Sequence, residues 1–146
     1  ESIKRLARVG YDRVLGFLEG GFASWQSEKR EFDTVKRINA DELAAVCSSN
    51  PAAVVLDVRK TSENYSERLP SAVNLPLDNL NVRFNELPET DTLYIHCAGG
   101  YRSMIFASIL KSRGVHNIVD VRGGFGAIKN AGLQEVTAYV CPSTML

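Results

Sequence analysis

The stretch Thr92-Leu93-Tyr94-Ile95-His96-Cys97-Ala98-Gly99-Gly100-Tyr101-Arg102-Ser103 decides the fold. Its first five residues make the kind of apolar run expected of a strand covered on both faces. The residues from Cys97 to Gly100 are small. Residues 102–113 then read as a helix, with Ile105, Ile109 and Leu110 on one face and Gly114 as its stop. A buried strand that passes through a tight turn into a helix is half of a βαβ unit and predicts a parallel sheet.

Reading outward from this unit adds the other layers. Residues 54–58 (Val-Val-Leu-Asp-Val) form a second buried strand and residues 117–121 a third. Lys36-Arg37-Ile38 and residues 72–75, closed by Pro76, are shorter strands. Asn39 is placed to cap a helix carrying Leu43, Ala44 and Cys47, residues 78–85 read as helical, and a last helix follows Gly124. The expected class is α/β, a central parallel sheet of about five strands with helices on both faces. The domain is expected to span residues 35–135, with an irregular tail at 136–146.

The N-terminal stretch carries an echo of this pattern. Ile3, Leu6, Ala7 and Gly10 have helical spacing, residues 14–18 form an apolar run read as a strand, and Gly20-Gly21-Phe22 follows. Near the other end, Gly114, the strand 117–121 and Gly123-Gly124-Phe125 come in the same order. This reads as an internal repeat. Residues 1–26 are therefore expected to be the C-terminal remnant of a preceding, degenerate sister domain, whose Phe22 and Trp25 belong to an interface. Residues 27–34 are the linker. The first residue is Glu1 rather than Met, which suits a piece of a longer protein with further domains N-terminal to it.

Composition narrows the function. The 146 residues contain 17 basic and 17 acidic side chains, giving zero formal charge, and 45% are hydrophobic. No block of like charge suggests a nucleic-acid or anionic-membrane partner, and no run is long enough to span a bilayer. Three cysteines without metal-ligand spacing argue against a disulfide framework and suit a reducing, cytoplasmic setting.

The chemistry converges on Cys97. In α/β sheets ligands sit beyond the carboxyl ends of the strands. The glycines let successive backbone N–H groups turn inward, and the helix that follows adds the positive end of its dipole. Such a ring stabilises a thiolate, and equally a persulfide anion. Arg102 closes the loop and can pair with an anionic sulfur donor, and Ser103 can donate to the terminal sulfur. Ala98, Gly99, Gly100, Tyr101, Arg102 and Ser103 are thus the candidate binding loop. A purely structural cysteine would leave the Gly-Gly pair and the arginine without purpose.

These motifs resemble the rhodanese family of sulfurtransferases over roughly residues 36–134. Leu56-Asp57-Val58-Arg59 is similar to its Asp-x-Arg strand end, and Glu63 to its acidic residue. The segment from Leu69 to Pro76 resembles its Ile-Pro-Gly-Ala-x-Asn-Ile-Pro. Cys97 to Ser103 matches its active-site loop and Gly123-Gly124-Phe125 its late Gly-Gly turn. Glu67-Arg68 departs from the family's Gly-His. The loop wording looks most like rhodanese domains fused behind metallo-β-lactamase-fold persulfide dioxygenases, which often carry a degenerate rhodanese-like domain before the active one.

The resemblance implies a mechanism. Cys97 takes an outer sulfur from thiosulfate or a persulfide such as glutathione persulfide, then yields it to sulfite, a thiol or, in assays, cyanide. No metal or organic cofactor is implied. The alternative is a persulfide-holding scaffold module that does not turn over. A phosphatase is disfavoured because four residues separate Cys97 from Arg102 where rhodanese-like phosphatases have five. With no second positive charge inside it, the loop is expected to suit a persulfide better than doubly charged thiosulfate.

Of the remaining residues, Asp57 and Arg59 are expected either to orient the loop or to bond the backbone around it, and Glu63 to cap or pair locally. His96 should point away from Cys97 by strand alternation and be buried and hydrogen-bonded. His116 should lie in a surface turn. Tyr101 is expected to shield the persulfide or touch substrate, and Cys47 to be core. Cys141 could be idle, relay sulfur or pair with Cys97.

Overall fold

Parallel strands at the centre of the molecule bring the ends of distant segments to one edge. The structure is a computed structural model that describes residues 3, 4 and 13–141. It contains α1 (Gly21–Ser27), β1 (Lys36–Ile38), α2 (Ala40–Ser49), β2 (Val54–Asp57), α3 (Thr61–Ser66), β3 (Val73–Asn74), α4 (Leu80–Arg83), β4 (Leu93–His96), α5 (Tyr101–Ser112), β5 (Ile118–Val121) and α6 (Gly124–Ala131). Short 3₁₀ turns, Leu77–Asn79 and Phe84–Glu86, flank α4. The chain divides into two units, Glu1–Thr34 and Val35–Leu146.

In the larger unit five strands form one parallel sheet in the order β1-β5-β4-β2-β3. Side-chain alternation sends residues to two cores. Leu56, Leu93, Ile95, Cys97 and Ile118 meet Phe106, Ala107 and Leu110 of α5 on one face. Val55, Val119 and Val121 meet Leu43 of α2 and Phe125 and Ile128 of α6 on the other. The class read from the sequence, α/β with a five-stranded parallel sheet flanked by helices, is the one observed.

Several elements differ from expectation. The buried stripe of α5 is Ser103, Phe106, Ala107 and Leu110, while Ile105 is 38% exposed. Phe106 and Ala107 set that stripe at i, i+3, i+4 and i+7, so Ile105 falls outside it. The helix expected over 78–85 is broken into 3₁₀ and α turns. Its asparagines at 79, 81 and 85 offer the backbone competing hydrogen bonds. Helix α3 (Thr-Ser-Glu-Asn-Tyr-Ser) has no apolar period to announce it.

In the smaller unit, residues 13–18 form no strand, contrary to the reading of 14–18. A strand needs a ladder partner, and none is present among the described residues; Leu15 and Phe17 are 95% and 87% exposed. Phe22 packs edge-on against Phe32, and the Trp25 indole donates to the Glu31 carbonyl at 2.9 Å. The helical face read over Ile3, Leu6, Ala7 and Gly10 falls mostly outside the described residues. The tail from 136 is irregular but docked. Thr137 N–H donates to the Arg68 carbonyl at 2.9 Å and Val140 N–H to that of Ser66 at 2.8 Å.

Candidate active site

Strand β4 ends at His96, and the next residue continues its alternation, which puts the Cys97 side chain on the α5 face. Gly100, at φ 99°, is the left-handed N-cap of α5 and swings the chain back over the sulfur. Its N–H donates to Cys97 Sγ at 3.1 Å, and the Ser103 hydroxyl approaches Sγ at 3.5 Å. Burial pushes the Cys97 thiol up. It is outweighed by the Ser103 hydroxyl and the N–H groups of Ser103, Gly100 and Gly99, so the thiol lies below its ordinary value. With Cys97 only 1% exposed, the sulfur is reached by a small group entering the loop.

The Gly-Gly turn before α6 holds this loop from outside. Phe125 N–H donates to the Cys97 carbonyl at 2.7 Å and Gly126 N–H to the Ala98 carbonyl at 3.1 Å. Gly124, at φ 57°, lies so close that a Cβ there would sit 2.3 Å from the Cys97 carbonyl oxygen. Only glycine permits that approach.

Glu63 makes the local bond expected of it and also reaches Arg102, which the sequence reading left open toward a donor. The Arg102 guanidinium is already engaged by a bidentate pair with Glu63, at 2.6 and 2.9 Å, rather than open toward a donor. Glu63 therefore pairs across the site as well as locally, where it accepts from Lys60 N–H at 3.2 Å. The Arg102 hydrogen bonds hold the Glu63 carboxyl below its usual range, and Glu63 raises Arg102 in return.

Asp57 and Arg59 form a buried brace beside the loop. Arg59 binds both oxygens of Asp57, donates to the Glu67 carbonyl at 2.8 Å and stacks over Phe125 at 3.9 Å. Asn64 adds a bond to Asp57 at 2.9 Å. Burial pushes the Asp57 carboxyl up, but Arg59, His96 and Asn64 together bring it below its ordinary value. Neither side chain makes a hydrogen bond to Cys97.

His96 goes to the opposite face, where it stacks on Phe125, and burial pushes its pKa down. Its Nδ1 lies 3.3 Å from the Cys97 carbonyl, while Nε2 has no partner among the described residues. Tyr101 is 76% exposed and so covers little of the loop. Cys47 is half-buried against the α2/α6 core, and Cys141 is exposed.

The rhodanese-like domain model matches residues 39–131, well over half the chain. The chain belongs to the rhodanese-like domain family. Among relatives of this rhodanese domain, a Bacillus subtilis protein named "Putative sulfur carrier protein YrkF" is 31% identical over 91 residues, 62% of this chain and 49% of its own length. The present chain thus spans about half of that relative. A sulfurtransferase of Allochromatium vinosum is 26% identical over 102 residues, 70% of this chain and 95% of its own. The thiosulfate sulfurtransferase structure from Pseudomonas aeruginosa superposes with a TM-score of 0.62 at 26% identity, covering 95% of this chain and 30% of that one.

Two participants escaped the sequence reading. The clasp by Phe125 and Gly126 was legible only as a glycine turn, with no hint of what it holds. Arg37 of β1 lies across the sheet at the loop's edge. A Cβ on Gly100 would be 3.6 Å from its Nη2. Only the strand order, which puts Arg37 opposite Asp120 of β5, brings it there.

Proposed function

We propose that this rhodanese domain is a sulfurtransferase that carries sulfane sulfur as a Cys97 persulfide. The observation that carries the reading is the ring of Gly100 N–H and Ser103 O–H donors on Sγ, with the thiol lowered. The thiolate attacks the outer sulfur of thiosulfate or of a low-molecular-weight persulfide such as glutathione persulfide. A new S–S bond forms, the donor's S–S bond breaks, and its electron pair leaves with sulfite or the thiolate. Sulfite, a thiol or cyanide then attacks the outer sulfur, and the electron pair returns to Cys97. The ring donors hold the anionic sulfur in both states.

The intact mass after incubation with thiosulfate, and separately with glutathione persulfide, tests this. A gain of one sulfur, lost in Cys97→Ser, is expected. No gain with either donor would overturn the proposal. A second reading, a sulfur carrier that does not turn over, is favoured by the name of the B. subtilis relative. Multiple turnovers with cyanide or sulfite would exclude it.

We further propose that the segment up to residue 26 is the end of a preceding sister domain, in a protein whose additional domains include a persulfide-handling enzyme of the metallo-β-lactamase fold, in a reducing compartment such as the cytoplasm. Two observations support the sister domain. Gly20 and Gly21, at φ 73° and 59°, start α1 as Gly123 and Gly124, at 73° and 57°, start α6. The Pseudomonas structure's 95% coverage also extends the likeness into residues before 35. Sequencing the gene upstream of Glu1 tests the arrangement; an unrelated fold there would refute it.

A further inference from the structure

Arg102, the cation the loop itself supplies, has both Nη atoms committed to Glu63. Arg37 differs in each respect. Its Nε donates to Asp120 Oδ2 at 2.8 Å, and no described residue bonds its Nη1 or Nη2. Asp120 is fully buried while the Arg37 side chain is 37% exposed, so the carboxylate anchors the guanidinium from below and leaves its outer fork facing out. That fork lies against Gly100, the residue whose N–H holds Cys97 Sγ. Gly100 has no side chain to cover it.

We infer that Arg37 is the anion-recognising residue of the site, taking the sulfonate or carboxylate of the small molecule that brings sulfur to Cys97 or removes it. The planar fork suits a bidentate oxyanion. The buried Asp120 fixes the side chain in place, so little rotamer freedom is lost when the anion arrives. The missing side chain at Gly100 leaves a path from fork to sulfur. The expectation that the loop lacks a second cation, and so disfavours thiosulfate, is thereby revised: the second cation comes from β1. Only the identity of the bound molecule as a sulfur donor or acceptor rests on the sulfurtransferase reading.

The test uses the full chain and two alkylating agents of nearly equal size, anionic iodoacetate and neutral iodoacetamide, with modification of the Cys97 peptide followed by mass. The ratio of the two rates cancels changes in thiol ionisation. Arg37→Ala is expected to lower the iodoacetate-to-iodoacetamide ratio by about fivefold, the effect of one unit charge near a half-solvated site. Arg37→Lys should keep most of it. Because Arg37→Ala leaves the Asp120 carboxylate buried without its partner, Arg37→Gln/Asp120→Asn is measured alongside it. This double variant retains a neutral hydrogen-bonded pair and the net charge, and its ratio is expected to fall in the same direction. An unchanged or raised ratio in the folded double variant overturns the inference. If the wild-type chain takes up no sulfur, the sulfurtransferase proposal fails, while the alkylation ratio still decides the role of Arg37. If sulfur is taken up, the thiosulfate KM should rise about fivefold in Arg37→Ala.

Discussion

Replacing Gly124 by alanine should loosen the Cys97 loop at a cost that can be separated into two parts. Alanine at φ 57° adopts the left-handed conformation at about 1 kcal/mol. The new methyl would also sit 2.3 Å from the Cys97 carbonyl oxygen and 2.8 Å from the Ala98 carbonyl carbon, both backbone atoms that cannot turn aside. Relief requires the loop to move off α6, which weakens the Phe125–Cys97 and Gly126–Ala98 bonds of 2.7 and 3.1 Å. Each is worth about 1 kcal/mol. The whole change should cost about 3 kcal/mol, or about 15 °C in Tm for a domain of this size. Gly132→Ala is the control. Its φ is 63°, but a Cβ there meets nothing within 4 Å, so only the backbone term of about 1 kcal/mol applies. Thermal melts followed by circular dichroism compare them. Equal Tm losses in the two variants would refute the idea that Gly124 serves the clasp.

Ser103→Ala should move the pH midpoint of Cys97 alkylation upward, because a donor to the thiolate is lost; an unmoved midpoint would show that the backbone donors suffice. Glu63→Gln should lower the thiosulfate KM by about threefold by lifting an opposing charge from Arg102, whereas a raised KM would mean that Glu63 chiefly aims the guanidinium. The carboxyls of Asp57 and Glu63 lie below their ordinary values in the folded chain. Their contribution to stability is therefore present above the unfolded values and lost as pH falls through the depressed folded ones. Melts from neutral to acid pH should show this loss, and Asp57→Asn should flatten it.

What the sequence made legible was local. Periodicity located all five strands of the sheet, and the run from Thr92 to Ser103 announced its strand, turn and helix, because each signal lies within a few residues. The relations that complete the site span the chain. Arg102 meets Glu63 across 39 positions and Arg37 meets Asp120 across 83. No period encodes such pairings; strand order does. Helix α3 has Tyr65 as its one apolar side chain and no period to read; it is held by its surroundings, Asn64 to Asp57 and Ser66 to Val140. Residues 14–18 were misread for the converse reason. Their apolar run has the composition of a strand, but it forms no ladder with any described residue.

Strand alternation has one more consequence. With Cys97 on one face of the sheet and His96 on the other, the imidazole beside Cys97 in sequence is withheld from its sulfur in space. Breaking and making S–S bonds from a thiolate that already exists asks for no proton to change hands. Sulfur exchange on Cys97 should then run at the same speed in heavy water as in light once the thiol is ionised. Enzymes that pair a cysteine with a histidine base move a proton with each turnover, whereas the exchange proposed for Cys97 moves electron pairs alone.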